Sequence, residues 1–225
     1  MTISSKVDRL QRFSQFVISH DLYANAVKKL DKAIEATQAS NQPMSALLIG
    51  DSGTGKTTIC KYMVSKRPEC HVRVEPDGIR RVIPAFYCSV PSVVNVKGLA
   101  IVMLEKLGAT NLKGDKGDLT IRLVKLLATC ETEVIFLDEF HHLLKSEAKR
   151  VLSSICDWVK ALMNATKVPV ILVGISKCEA VIAEDPELSG RFPYRARLDR
   201  IPFGTDPKAQ FLQILKAFEN AMRKY

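Results

Sequence analysis

The chain has 225 residues, 47% of them hydrophobic, so it can bury a full core for one sizeable domain without disulfide or metal staples. Its formal net charge of +9 points to a polyanionic partner, nucleic acid being the usual one, against the alternative of a generally basic soluble surface. The six cysteines are scattered with no C-x-x-C pair, no signal peptide is visible and no apolar run approaches the roughly 18 residues of a span, so the expectation is a reduced, cytoplasmic protein outside the membrane.

Residues 4–39 read as two helical segments that part near His20-Asp21. Val7, Leu10, Phe13, Phe16 and Val17 keep helical spacing in the first; Leu22, Ala26, Leu30, Ala33 and Ile34 keep it in the second. Residues 1–42 are therefore taken as an N-terminal helical arm, which packs on the domain or reaches a neighbour. A core domain follows over 43–204, and 205–225 begin a helical lid that is cut short.

The stretch Gly50-Asp51-Ser52-Gly53-Thr54-Gly55-Lys56-Thr57 fits the Walker A pattern in full. Ala46-Leu47-Leu48-Ile49 before it reads as a buried strand, and Thr58 to Val64 after it continue as a helix. Gly53 and Gly55 let successive N–H groups turn toward an anion, and the helix adds its positive end. Nucleotide contacts are expected from Gly50 through Thr58, with Lys56 on the β- and γ-phosphates and the Thr57 hydroxyl on Mg²⁺.

Residues 67–83 are polar and interrupted by Pro68, Pro76 and Gly78, an irregular excursion with room for a short strand pair. Pro84 to Val90 read as the second core strand. A helix with Leu99, Val102, Met103 and Leu107 on one side follows and stops at Gly108. After a glycine-rich loop over 108–117, Asp118 is expected to cap a helix whose apolar face holds Ile121, Leu123, Val124, Leu126 and Leu127.

Val134-Ile135-Phe136-Leu137-Asp138-Glu139 is a Walker B strand, with Asp138 expected in the Mg²⁺ shell and Glu139 polarising the attacking water. His141-His142 read as structural or partner-facing, because neighbours on a helix do not face one ligand and the sequence offers no third ligand. Ser146 to Asn164 form an amphipathic helix with Ala148, Val151, Leu152, Ile155, Val159 and Leu162 inward and Trp158 at the border. Val168 to Gly174 are the fourth strand; Ser176 at its end is either a γ-phosphate sensor or a helix cap. Tyr194 to Phe203 are the fifth strand, and Asp206-Pro207 open a helix with Phe211, Leu212, Leu215 and Phe218 inward.

These motifs, LLIGDSGTGKTT, VIFLDEFHHL, VPVILVGISKCEAVI and the Arg191-Phe192 beyond, resemble the AAA+ ATPases, and among them the TniB/TnsC group of transposition regulators, over residues 20–218. The chain departs from that group at Ile175, where a small polar residue is usual, and it offers no assignable sensor-two arginine. The resemblance implies an α/β fold, a parallel five-stranded sheet flanked by helices. It implies ATP and Mg²⁺ as cofactors, assembly into rings or filaments on duplex DNA, and a link between a target-selection protein and a transposase. Arg191 would be an arginine finger serving a neighbouring subunit, with Arg195, Arg197 and Arg200 as substitutes. Lys97, Lys113 and Lys116 would contact DNA phosphates, with Arg80, Arg81, Lys149 and Arg150 next in line. The alternatives are another DNA-associated ATPase such as a helicase loader or a secretion-type ATPase, a P-loop small-molecule kinase, and an adaptor in which ATP is structural.

Overall fold

The computed structural model describes residues 17–40, 42–76, 78–145, 149–201 and 208–224. Helix α1 (Asp21–Ser40) precedes strand β1 (Ala46–Ile49) and helix α2 (Lys56–Ser65). A hairpin of β2 (His71–Glu75) and β3 (Gly78–Val82) leads to β4 (Ala85–Ser89), α3 (Val96–Leu107), α4 (Lys116–Thr129) and β5 (Val134–Asp138). A 3-10 turn over Phe140–Lys145 is followed by α5 (Lys149–Thr166), β6 (Val170–Gly174), α6 (Ser176–Ala183), α7 (Pro186–Gly190), β7 (Tyr194–Arg197) and α8 (Lys208–Lys224).

The main sheet is parallel throughout, in the order β4-β5-β6-β1-β7. Every residue of β1, β5 and β6 is buried, as expected where helices cover both faces of central strands. The two-residue period of a strand divides the core in two. Leu47, Ile49, Ile135, Leu137 and Leu172 face α3 to α6, whereas Ala46, Leu48, Phe136, Ile171 and Val173 face α1 and α2. The expected five-stranded α/β architecture is therefore the observed one. All the strands run the same way, so their C-terminal ends share one edge of the sheet, where open α/β folds gather their ligands.

Of the two alternatives left open for the N-terminal arm, helix α1 packs on the domain: Leu30, Ala33 and Ile34 are buried in the core beside β1 and β7, and Lys29 Nζ donates to the Arg195 carbonyl of the edge strand at 2.8 Å. Several other local expectations are corrected. The cap of α4 is Asp115 rather than Asp118; each carboxylate accepts the other's backbone N–H in a capping box. Ile121 is 59% exposed, whereas Leu119, Leu123 and Leu127 are fully buried and Val124 and Leu126 pack partly buried against the same core. Trp158 is buried instead of bordering the stripe, donating Nε1–H to Thr120, and Val151 is exposed. Strand β6 starts at Val170 because Pro169 has no N–H for the ladder, although its carbonyl accepts from Ile135 at 3.0 Å. On α8, Leu212 and Leu215 are 48% and 47% exposed rather than inward, and Ile214 and Ala217 line a cavity together with residues 18–21. The fifth strand is shorter than expected: β7 ends at Arg197, and Leu198 to Ile201 are not strand. The expectations for residues 4–16, for Ser146 to Ala148, for Pro202-Phe203 and for Asp206-Pro207 lie outside the described residues.

Candidate nucleotide site

Strand β1 ends at Ile49, and the ladder runs on by Gly50 N–H donating to the Gly174 carbonyl at 3.1 Å. A Cβ on Gly50 would overlap the backbone carbonyl of Leu198, just past β7, so packing demands glycine there. Gly53 and Gly55 have φ of 80° and 93°, the left-handed region in which a side chain is strained. Their turn delivers the chain into α2, whose N-terminus has no side-chain cap. Its first N–H groups are thus left without a side-chain partner at the positive end of the helix, an arrangement suited to an anion. Lys56 is buried, and its ammonium donates to the carbonyls of Gly50 at 2.9 Å and Asp51 at 2.7 Å, so the charge sits across the loop's mouth. Thr54 Oγ1 closes the turn on the Asp51 carbonyl, while Asp51 and Ser52 are exposed and Thr58 is half-buried in the first turn of α2.

The second strand of the site is β5, two positions away across β6. Asp138 is buried at its end, and its Oδ2 accepts the Thr57 hydroxyl at 2.6 Å and the Tyr87 hydroxyl at 2.9 Å. Its Oδ1 accepts the Glu139 N–H at 2.8 Å. Burial, then the neighbouring Asp138 carboxylate, pushes the Tyr87 phenol well above its ordinary value, so it stays a donor. Sequence reasoning missed Tyr87; its one signal was its place in β4, next to the Walker B strand. A hydroxyl beside a carboxylate is a hard oxygen donor pair of the kind Mg²⁺ takes with phosphate oxygens and water.

Glu139 has φ of 57°, uncommon for a residue with a side chain and a mark of functional turns. Its carboxylate lies 3.2 Å from His141 Nδ1 without hydrogen-bond alignment, and that buried nitrogen has no other partner among the described residues. Burial lowers the His141 pKa, with the Glu139 charge opposing, so the ring is neutral at neutral pH. The His142 ring centroid stands 4.5 Å from that of His141, and its Nδ1–H donates to the Val90 carbonyl at 2.8 Å. The two histidines and Glu139 thus meet, contrary to the expectation that no third group would join them.

Ser176 is exposed at the first position of α6, at the C-terminal end of β6 between β1 and β5. It does not cap the helix; Ile175 occupies the cap position, without a side-chain bond. Arg191 lies at the other end of the sheet. Its carbonyl accepts the N–H of Ser45, which precedes β1, so the length of β1, about 13 Å for four residues, separates it from the glycine loop. Its guanidinium donates to Asn164 and to Glu187. Among its substitutes, Arg195 and Arg197 pair with Glu179, while Arg200 pairs with Asp51 of the loop at 3.1 Å.

Lys97 and Lys116 open α3 and α4 and line one cavity of about 630 Å³, together with Lys145 and Arg150. Lys145 donates to the Ser92 carbonyl and Lys116 to the Ser154 hydroxyl; among the described residues none of the four is paired with a carboxylate. Val93, 91% exposed, stands at its rim. Lys113 is exposed nearby and outside this lining, and the Arg80-Arg81 pair sits on the hairpin, where Arg80 pairs with Glu75. Lys149 lines a separate depression.

Residues 9–200 match the family model described as Bacterial TniB protein. No curated protein matches the chain. Among solved structures, the chain is similar to the Orc1 protein of Aeropyrum pernix in complex with DNA, with a TM-score of 0.59 and 20% identity over 92% of this chain and 51% of that one. It is also similar to Cdc6p of Pyrobaculum aerophilum, with a TM-score of 0.57 and 19% identity over 87% of this chain and 48% of that one. The Walker-type ATPase PABY2304 of Pyrococcus abyssi gives 0.50 and 15% over 87% of this chain and 57% of that one. The chain therefore spans about half the length of these structures, and the likeness establishes the AAA+ P-loop fold.

Proposed function

The chain belongs to the TniB family, and on that premise we propose that it is an ATPase that assembles on duplex DNA and couples target selection to a transposase. The observation that carries the reading is the 2.6 Å contact of Thr57 with Asp138, which brings the Walker A hydroxyl and the Walker B carboxylate to one point from residues far apart in sequence. Bound ATP with Mg²⁺ would supply the phosphoanhydride and the ion that shields its charge. Lys56, Thr57 and the N–H groups from Gly50 to Thr58 would hold the phosphates, and Thr57 with Asp138 would hold the ion. Glu139 would take up the proton of the attacking water, and Ser176 stands at the end of β6 where it could bond the reacting phosphate or that water.

The placement of Arg191 favours an oligomer over a small-molecule kinase. It sits at the sheet end away from its own loop, so the nucleotide it could serve belongs to a neighbour. For DNA, the support is the four cations around one cavity, none paired with a carboxylate among the described residues, two of them at helix starts where the backbone adds positive potential. Contacts of this kind are to phosphates and carry little sequence preference. Replacing Lys97, Lys113 and Lys116 by alanine is expected to weaken ATP-dependent DNA binding and to flatten its log–log salt slope by roughly 0.9 for each phosphate that is no longer neutralised. ATP affinity should persist. An unchanged salt slope in a DNA-binding titration would remove these lysines from the interface.

A further inference from the structure

We propose that Glu139, His141 and His142 form a binding site for a transition-metal ion of the Zn²⁺ class, separate from the Mg²⁺ position, and that its occupation inhibits ATP turnover. One donor atom from each of the three residues lies within 4.8 Å of the others. A tetrahedral ion with bonds of about 2.0–2.2 Å spaces its donors roughly 3.3 Å apart. The Glu139 carboxylate and His141 Nδ1 already stand at 3.2 Å, out of line for a hydrogen bond, as two groups aimed at a common third atom would be. The left-handed turn at Glu139 bends the chain back so that residues 139 and 141 converge, and the 3-10 turn adds the second ring.

The outer partner of His142 is a second, independent observation. A carbonyl can only accept, so Val90 holds the proton on Nδ1 and leaves the lone pair on Nε2. Ligating histidines are characteristically fixed in this way, through the other ring nitrogen to a backbone carbonyl. Two imidazoles and one carboxylate select zinc, cobalt or nickel over magnesium. All three residues are half-buried, and with three protein ligands the fourth position of a tetrahedral ion would fall to water. The metal would occupy the lone pairs of Glu139 that the proton of the attacking water needs. That half of the proposal rests on the role given to Glu139 above; the binding half does not.

The experiment uses the full chain in a Cys70→Ser background, since Cys70 is the exposed thiol and the other five are buried. Co²⁺ is titrated without nucleotide and followed by its visible ligand-field absorption, then displaced by Zn²⁺ in a calorimeter. The expected result is one ion per chain, with affinity lowered at least ~10-fold in His141→Ala, in His142→Ala and in Glu139→Gln. Circular dichroism and the unfolding midpoint verify that each variant folds, and the partly exposed Glu139→Gln keeps the test decisive where a histidine variant fails. Buffered free Zn²⁺ at constant Mg-ATP is expected to slow turnover several-fold while ATP affinity holds. Ion binding that is absent, or equal in all the variants, overturns the site. Binding without inhibition overturns the regulatory half. A chain that binds the ion at these residues yet never hydrolyses ATP supports the site and counts against the ATPase reading alone.

Discussion

Lys56 is the residue on which the nucleotide reading turns. Its ammonium, held between two loop carbonyls, is the main counter-charge available where phosphates would sit. Lys56→Ala is expected to abolish ATP binding in a fluorescent-nucleotide titration, and undiminished affinity would remove the loop as the site. Glu139 carries a separate expectation. Glu139→Gln keeps the size of the side chain and removes its capacity to take up a proton, a function worth typically 10²- to 10⁴-fold in rate. The variant should bind ATP normally, turn it over at least about a hundred-fold more slowly and leave DNA-bound assemblies that persist. Normal turnover in a phosphate-release assay would place the proton acceptor elsewhere.

At the scale of elements, α5 and α7 are joined by charge rather than by apolar contact alone. Lys160 of α5 meets Asp157, Asp185 and Glu187 at 3.1, 3.1 and 3.2 Å, and Glu187 continues to Arg191. Asp185 also caps α7 by accepting the Leu188 N–H. Burial acts to raise its pKa, but the Leu188 N–H and the Lys160 ammonium together outweigh it, so the folded-state pKa is lowered. A lowered carboxylate pKa contributes stability that is present above the unfolded value and lost as pH falls through the folded one. Asp185→Asn should therefore cost stability at pH 7, by about 0.5 kcal/mol for the lost ion pair, since the asparagine oxygen still accepts the Leu188 N–H as a cap. The gap to the wild type in denaturant midpoints should close as the pH is lowered past the ordinary carboxylate range. A gap independent of pH would mean that shape, and not charge, joins these helices. Because the same network restrains Arg191, it also determines how rigidly that guanidinium is presented.

For the whole molecule, the separation of Arg191 from its own glycine loop makes a prediction that only an assembly can satisfy. Arg191→Ala and Glu139→Gln should each be nearly inactive alone. Mixed in equal amounts with DNA they should regain turnover, because some sites then combine an intact Glu139 with an intact Arg191 from the adjacent subunit. Turnover of the mixture no greater than the mean of its parts would show that Arg191 does not act across an interface. The described residues include no helix long and apolar enough to cross a membrane.

Elements that depend on near neighbours were decided by the order of amino acids alone. The glycine positions of the loop, the all-apolar strands ending at Gly50 and at Asp138-Glu139, and the stop at Gly108 follow from backbone sterics and side-chain period, and each was legible from residue types. The family entered differently, through the resemblance that the motifs themselves carry. What they could not reach are contacts made by strand order and packing. Leu198 closing on Gly50, Tyr87 on Asp138 and Arg200 on Asp51 join residues from different strands and loops. The same limit explains why Ile121 and Leu212 were misplaced: helical period finds a stripe, but which part of the stripe meets the sheet depends on where the neighbouring helices lie. The cavity that gathers Lys97, Lys116, Lys145 and Arg150 draws one cation from each of four elements, and the meeting of Glu139 with two histidines depends on a left-handed turn that residue types do not announce. Burying apolar surface selects one packing among many with the same local pattern, and those juxtapositions are its consequence.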